Sequence, residues 1–258
     1  MSTPAIFDRH LVRLHRDRAA ARVDRVAPIL SDFSARLVER LDDITRQFGD
    51  ALDIGGRGFV APMLRARGMH VVSSDLSVAM ARRSGTAVAA DEEQLPFAPR
   101  AFDLAVACLS LHWVNDLPGA LIQIRHSLRP GGLLLASVPV LDTLGGLRRA
   151  LTEAEAELTG GAGPRVSPFP DLRDCAALLQ RAGYELPVAD VEDVQLSYAN
   201  GLALLRDLQC AGESNAVALR DPRIPSRAVF PAALARMGVG RIAVTLRVAT
   251  MTGWASGG

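Results

Sequence analysis

The chain of 258 residues contains no lysine; all 29 of its basic residues are arginine. A Schiff-base lysine and a complete Walker A loop, which needs Gly-Lys-Ser/Thr, are therefore excluded. Alanine is also abundant, so a GC-rich genome explains the missing lysine more simply than function does. The three cysteines, Cys108, Cys175 and Cys210, are an odd number without Cys-x-x-Cys spacing. That pattern gives neither a disulfide framework nor a zinc site, and it suits a reducing compartment. Long apolar runs are missing too: none reaches the ~18 residues of a membrane span. Net charge is nearly absent, at +1 from 29 basic and 28 acidic residues, which argues against nucleic acid as a partner. The segment Phe7–Arg25 is arginine-rich but carries Asp8, Asp17 and Asp24 and no apolar stretch. It matches neither a signal peptide nor a transit peptide, and a cytoplasmic location is expected.

What is present is apolar bulk, 49% of residues, enough for a packed core and incompatible with a collagen-like or disordered chain. A helical pattern covers about Asp8–Val26, where Pro28 interrupts it, and Ser31 caps a second helix carrying Phe33, Leu37, Leu41 and Ile44. From Ala51 short apolar runs alternate with helical stretches. Strands are predicted at Ala51–Gly55, His70–Asp75, Thr86–Ala90, Phe102–Leu109 and Leu133–Val138. Helices are predicted at Val60–Arg67, Ser77–Arg83 and Leu117–Leu128. Such alternation implies βαβ units and a parallel sheet with helices on both faces. Further on, helices are expected at Thr143–Leu158, Leu172–Arg181, Gly201–Cys210 and Ala228–Met237, with a mobile glycine-rich segment at Gly160–Pro164. Tyr184–Val191, Asp193–Tyr198 and Arg241–Thr250 read as strands. The expected organisation is an N-terminal helical arm over residues 1–48 and one domain over 49–258, with an insertion at about 141–183.

Ligands of a doubly wound sheet sit at the carboxyl ends of its strands. The first strand ends in Asp53-Ile54-Gly55-Gly56-Arg57-Gly58, where glycine lets the backbone approach a ligand. The second ends in Asp75, placed to accept the hydroxyls of an adenosine ribose. The third leads into Asp91-Glu92-Glu93-Gln94-Leu95-Pro96-Phe97, an acid that can accept from an adenine amino group. Each alone is a common turn or cap; their order is specific. With Phe102-Asp103 and Leu128-Arg129-Pro130-Gly131-Gly132, this series resembles the class I S-adenosylmethionine (SAM)-dependent methyltransferase fold over roughly residues 45–140. The resemblance implies a Rossmann-like α/β fold of seven strands with the last antiparallel. It implies SAM as cofactor, with S-adenosylhomocysteine (SAH) as product. Cofactor contacts are expected from Asp53, Gly55, Gly56, Gly58, Asp75, Leu76, Asp91, Glu92 and Leu109. One departure is the glycine loop, a residue shorter than the family's Asp-x-Gly-x-Gly-x-Gly. Either Arg57 or Phe59 then crowds the methionine half of SAM, or the loop is simply shorter and Gly56 and Gly58 serve.

Two further stretches, Leu109-Ser110-Leu111-His112-Trp113-Val114-Asn115-Asp116-Leu117-Pro118 and Gly212-Glu213-Ser214-Asn215, together with Ser167-Pro168-Phe169, resemble the mitochondrial complex I assembly factor 5 family and its bacterial relatives. Malonyl-carrier-protein methyltransferases share the Leu-His-Trp segment. The resemblance implies methyl transfer to a small molecule or protein. Alternatively it implies arginine hydroxylation on a complex I subunit, as in the mitochondrial member, or a non-catalytic SAM-fold module. His112 and Trp113 follow the fourth strand, where a base and a pocket wall are expected; the plain alternative is a packed aromatic beside a hydrogen-bonded histidine. Asn115-Asp116 reads as a helix cap. Glu213 and Asn215 suit a cationic substrate such as a guanidinium, or else a cap and turn. These four residues are expected to line one cavity that also contains the SAM site. No metal-ligand spacing is legible, and the arginines of the arm read as a solvated face.

Overall fold

The computed structural model describes residues 5–221, 223 and 226–256. The outermost residues of the expected division, 1–4 and 257–258, lie outside the described residues. Seven strands form one sheet: β1 (Asp50–Ile54), β2 (His70–Asp75), β3 (Ala87–Ala89), β4 (Phe102–Cys108), β5 (Leu128–Pro139), β6 (Tyr184–Tyr198) and β7 (Ile242–Ala255). Their order is β3-β2-β1-β4-β5-β7-β6. The first five run parallel, and β7 inserts antiparallel between β5 and β6. The α/β fold is thus the seven-stranded arrangement of class I SAM methyltransferases. The chain leaves β1 toward β2 and β3, then returns past β1 to β4. The switch point therefore opens between the carboxyl ends of β1 and β4.

Alternation along the strands assigns two cores. Leu104 and Val106 of β4 and Leu133 and Leu135 of β5 face one layer, shared with α2 (Ala27–Glu39) and α3 (Val60–Ala66). Ala105 and Ala107, with Leu134 and Ala136, face the other, shared with α5 (Leu117–Ser127) and α7 (Leu172–Arg181). The remaining helices are α1 (Arg9–Ala19), α4 (Val78–Ala81), α6 (Gly145–Thr159), α8 (Gly201–Ala211) and α9 (Val229–Arg236). A third cluster joins α6, α8 and α9 to Ile242 and Val244 at the start of β7. That layer stands beyond the carboxyl ends of β4 and β5.

Three sequence expectations change in detail. Pro28 does not interrupt a helix; it occupies the first turn of α2, where its missing N–H is harmless, and Ser31 lies inside that helix instead of capping it. The two strands expected at 184–191 and 193–198 are one strand, β6, with a register shift between Glu185 and Val188. The Gly160–Pro164 segment is fastened: Glu155 accepts Gly163 N–H at 3.2 Å and pairs with Arg165, and Asn215 Nδ2 donates to Pro164 O at 2.9 Å.

Candidate active site

The glycine turn after β1 is set by close packing. Gly55 takes φ +66°, and a Cβ there would stand 2.2 Å from Ser110 Cβ. Ser110 Oγ donates to Ile54 O at 2.9 Å, stitching the ends of β1 and β4 together. A Cβ on Gly56 would stand 2.5 Å from Asp53 Oδ2. Asp53 is buried beneath the turn and accepts Ser73 Oγ at 3.0 Å. Burial pushes its carboxyl up to about 7. It supports the loop from below.

Asp75 closes β2. Its Oδ1 accepts Ser77 N–H at 2.8 Å, whereas Oδ2 is buried without a hydrogen-bond partner. Burial pushes this carboxyl up to about 6 against the opposing pull of Arg16. Leu76 follows and packs in a small cluster with Phe7, Val12 and Trp113. Beyond β3, Glu92 is buried and Asp91 half-buried.

Helix α1 lies over these carboxylates. Asp8 caps it by accepting Leu11 N–H. Its inward stripe, Arg9, Val12, Arg16 and Ala19, follows helical spacing but puts arginine at two of four positions. Arg9 Nη2 pairs with Asp91 at 2.5 Å and with Glu92, and Nη1 donates to Trp113 O at 3.0 Å. Arg16 is 2% exposed, and its Nη1 lies 3.5 Å from Asp75 Oδ2. Asp17 accepts Ser77 Oγ. Two of the N-terminal arginines, Arg9 and Arg16, therefore hold the first helix onto the ends of β2 and β3, whereas Arg13, Arg18 and Arg22 lie on the exposed face as expected. The overlooked signal is charge inside an otherwise apolar stripe.

The shortened glycine loop sends Arg57 across the switch point. Its guanidinium donates to Leu109 O at 2.7 Å and to Glu213 Oε1 at 2.6 Å. Phe59 instead packs against the α2–α3 core. Leu109 itself sits at φ +48°, a conformation uncommon for a side-chain-bearing residue, held by Ser137 through Leu109 N–H.

Glu213, just after α8, gathers three donors. Besides Arg57, it accepts Trp113 Nε1–H at 2.8 Å and pairs with His112 Nε2 at 2.7 Å. Burial alone would raise its pKa, but the His112 and Arg57 charges outweigh that and hold the carboxyl well below the usual carboxylate range. An ionised Glu213 accepts, so Nε2 of His112 carries a proton whether the ring is charged or neutral. Nδ1 of that ring is buried without a partner. Trp113 also meets Phe7 edge-on at 5.2 Å between ring centres.

These groups stand at one end of a cavity of about 300 Å³. His112, Trp113, Glu213 and Asn215 all line it, as do Arg57 and Leu109; Asp75, Gly55, Asp91 and Glu92 do not. The remaining wall is mostly apolar, with Leu147, Leu151, Phe169, Leu204 and Leu208 prominent. Asn215 is used structurally, accepting Val217 N–H at 3.0 Å and holding Pro164 O. Asp116 caps α5 through Gly119 N–H at 2.9 Å. Asn115 instead binds the backbone of Ile6 and Phe7. Among the described residues, no group of three or more His, Cys, Asp or Glu side chains is placed to hold a metal, and no helix is long and apolar enough to cross a membrane.

A family model described as a methyltransferase domain matches residues 22–187. The chain belongs to the methyltransferase-domain family. It is 37% identical over 265 residues to the arginine-hydroxylase NDUFAF5 of human mitochondria, covering 96% of this chain and 76% of that protein. A malonyl-[acyl-carrier protein] O-methyltransferase of Methylovorus is 32% identical over 249 residues, covering 90% and 82%. Among solved structures, a SAM-dependent methyltransferase of Thermotoga maritima superposes with a TM-score of 0.55 at 15% identity, covering 94% of this chain and 99% of that one. A 1,6-didemethyltoxoflavin-N1-methyltransferase of Burkholderia thailandensis, solved with SAH, gives 0.54 at 18%, covering 99% and 93%. The sheet order and these superpositions agree on the class I fold of the family.

Proposed function

We propose that this methyltransferase-like protein uses SAM to methylate an acceptor held in the apolar cavity. The single observation that carries the reading is His112. Its ring lines the cavity that reaches the ends of β1 and β4, its Nε2 is fixed on ionised Glu213, and its Nδ1, buried behind the cavity wall, has no partner among the described residues. In its neutral form the ring has a lone pair on Nδ1, which receives a proton from an acceptor O–H or N–H group once a shift of the wall brings the two together. Glu213 holds the tautomer, and Arg57 neutralises Glu213. Trp113 is locked by the same carboxylate and walls the cavity.

The residues beside this dyad suit the cofactor. Asp75 Oδ2 is a buried acceptor without a donor, as a ribose diol requires, and Glu92 and Asp91 are the acceptors on the adenine side. Gly55, Gly56 and Gly58 keep the β1 turn bare, Asp53 props that turn from beneath, and Leu76 and Leu109 supply apolar flanks. SAM supplies an electrophilic methyl group on a sulfonium. The chain's task is alignment and removal of the acceptor's proton, which suffices for such a displacement. Arg57 crosses the switch point without filling the cavity. The shorter loop therefore tightens the methionine end and leaves the acceptor side open.

A second reading is favoured by the 37% identity to NDUFAF5 over nearly the whole chain. It is oxygen insertion into an arginine of a protein, the activity in that relative's name: one atom of dioxygen enters the side chain, the other leaves as water, and an external two-electron reductant is consumed; for this chain we propose a respiratory complex I subunit as the target and a cytoplasmic setting. The test is incubation of purified protein with SAM and candidate acceptors, followed by mass spectrometry. A gain of 14 mass units, with SAH released in equal amount, supports methylation. A gain of 16 that depends on dioxygen supports hydroxylation. The absence of SAH binding in calorimetry would overturn methylation, and the absence of both mass gains would leave a non-catalytic module.

A further inference from the structure

Arg16 is the least explained charge in the protein. It is 2% exposed, and a buried guanidinium needs an anion close by. The carboxylate beside it is that of Asp75, 3.5 Å away, yet among the described residues neither Arg16 Nη1 nor Asp75 Oδ2 has a hydrogen-bond partner. On its other side, Arg16 Nη2 lies 3.3 Å from the position a Cβ on Gly55 would take. The guanidinium therefore spans from the end of β2 to the glycine turn at the end of β1. It stays loosely engaged, whereas Arg9, two turns earlier on the same face, is tightly paired.

Other nearby acids are committed. Glu213 serves Arg57, His112 and Trp113, and Asp53 faces Ser73 beneath the loop. Asp17, one residue on, accepts Ser77 Oγ. If a ribose diol takes Asp75 Oδ2, Arg16 must share its one counter-charge with that diol. The cofactor brings its own anion, the carboxylate of its methionine half, into the same cleft beside the glycine turn.

We propose that Arg16 is the receptor for the amino-acid carboxylate of the cofactor: its guanidinium, which leans on Asp75, turns to the ligand carboxylate when the cofactor binds. The proposal rests on the reading of Asp75 as the ribose acceptor and adds a residue of the N-terminal helix to the binding site. It gives the short glycine loop a compensation, since a cation reaching in from α1 supplies an anchor that does not depend on loop length. It also makes the helix part of the ligand's recognition. A nucleoside without the carboxylate leaves Arg16 on Asp75, in competition with the ribose.

The test compares two ligands by calorimetry on the full chain: SAH, and its decarboxylated analogue S-adenosyl-3-thiopropylamine. The parent should prefer SAH by about 10- to 100-fold, the range for a charge-assisted hydrogen bond. Arg16→Met should reduce that preference at least tenfold by weakening SAH while the analogue binds as well or better. Retained binding of the analogue shows that the variant is folded. Arg16→Gln, which keeps the stem and an amide donor, is the second variant should Met disturb the helix; the same loss of preference is expected. An unchanged preference in a variant that still binds both ligands overturns the proposal. So does equal tightening of both ligands, which would make Arg16 a mere competitor for Asp75. If the parent binds neither ligand, the cofactor reading itself fails.

Discussion

The two halves of the cleft are built on opposite plans. At the ends of β2 and β3, acids meet arginines of α1: Arg9 on Asp91 and Glu92, Arg16 on Asp75. At the ends of β4 and β5, Glu213 is neutralised by Arg57, and beyond them opens a cavity of about 300 Å³ whose wall is mostly apolar. The first half is full of charge and must exchange partners to admit a ligand. The second is preformed and only has to be entered. Specificity in the first is electrostatic, because an unsuitable ligand leaves a buried charge unpaired. In the second it rests on shape and area, where each misfitting methylene is worth only about 1–3 kcal/mol.

The contrast breaks most sharply at Asp75. Asp75→Ala should weaken SAH binding by about 10- to 150-fold, and it also strands Arg16, so a loss of stability of roughly 3–5 kcal/mol is expected. Calorimetry and denaturant unfolding measure the two effects; equal SAH affinity in mutant and parent removes Asp75 from the site. Next is Glu213→Gln, which keeps shape and removes the charge that fixes His112. Turnover should fall by about 100-fold, with SAH affinity within threefold of the parent. A fall in SAH affinity without a fall in turnover would move Glu213 into the charged half. Leu208→Trp should act on the apolar half alone, raising the acceptor KM by about 10-fold; if SAH binding changes instead, the halves are not separate. The smallest effect concerns pH. The raised Asp53 carboxyl means that the folded state holds a proton which the unfolded state has already lost, so this group costs stability as pH climbs from about 4 through 7. Asp53→Asn should therefore gain stability over the parent between pH 5 and pH 8, by an amount on the order of 1 kcal/mol. Parallel melting curves across that range would mean that Asp53 does not titrate there.

The sheet was legible because its signals are local and repeated. Alternation in β4 and β5, the glycine turn at 55–58 and the acid at the end of β2 each follow from short-range chemistry. The acceptor residues were legible as types: His112, Trp113, Glu213 and Asn215 do share one cavity. Their partnerships were not, because Glu213 and His112 are separated by 101 residues and meet only through the fold. The expectation that the same cavity also contains Asp75 is not met, since Asp75 lies outside its lining and beside Arg16. Pattern reading treats an arginine on a helix as solvated. Here two of them turn inward onto carboxylates at the ends of β2 and β3, and only the Arg9–Val12–Arg16–Ala19 spacing hinted at it.

The long antiparallel pair of β6 and β7 carries a mechanical consequence. β5 pairs with β7 only from Val248 to Trp254; the portion Ile242–Arg247 pairs with β6 alone. That two-stranded ribbon overhangs the sheet and carries Ile242 and Val244 against α6, α8 and α9. The base of α6 is fastened to the same ribbon, through Leu144 N–H on Thr245 O and Thr143 Oγ1 on Arg247 O. The outer wall of the cavity is therefore a leaf spring clamped at one end by β5. Flexing it moves wall and helix base together, bends two strands instead of seven, and leaves the ladder that joins β5 to β7 intact.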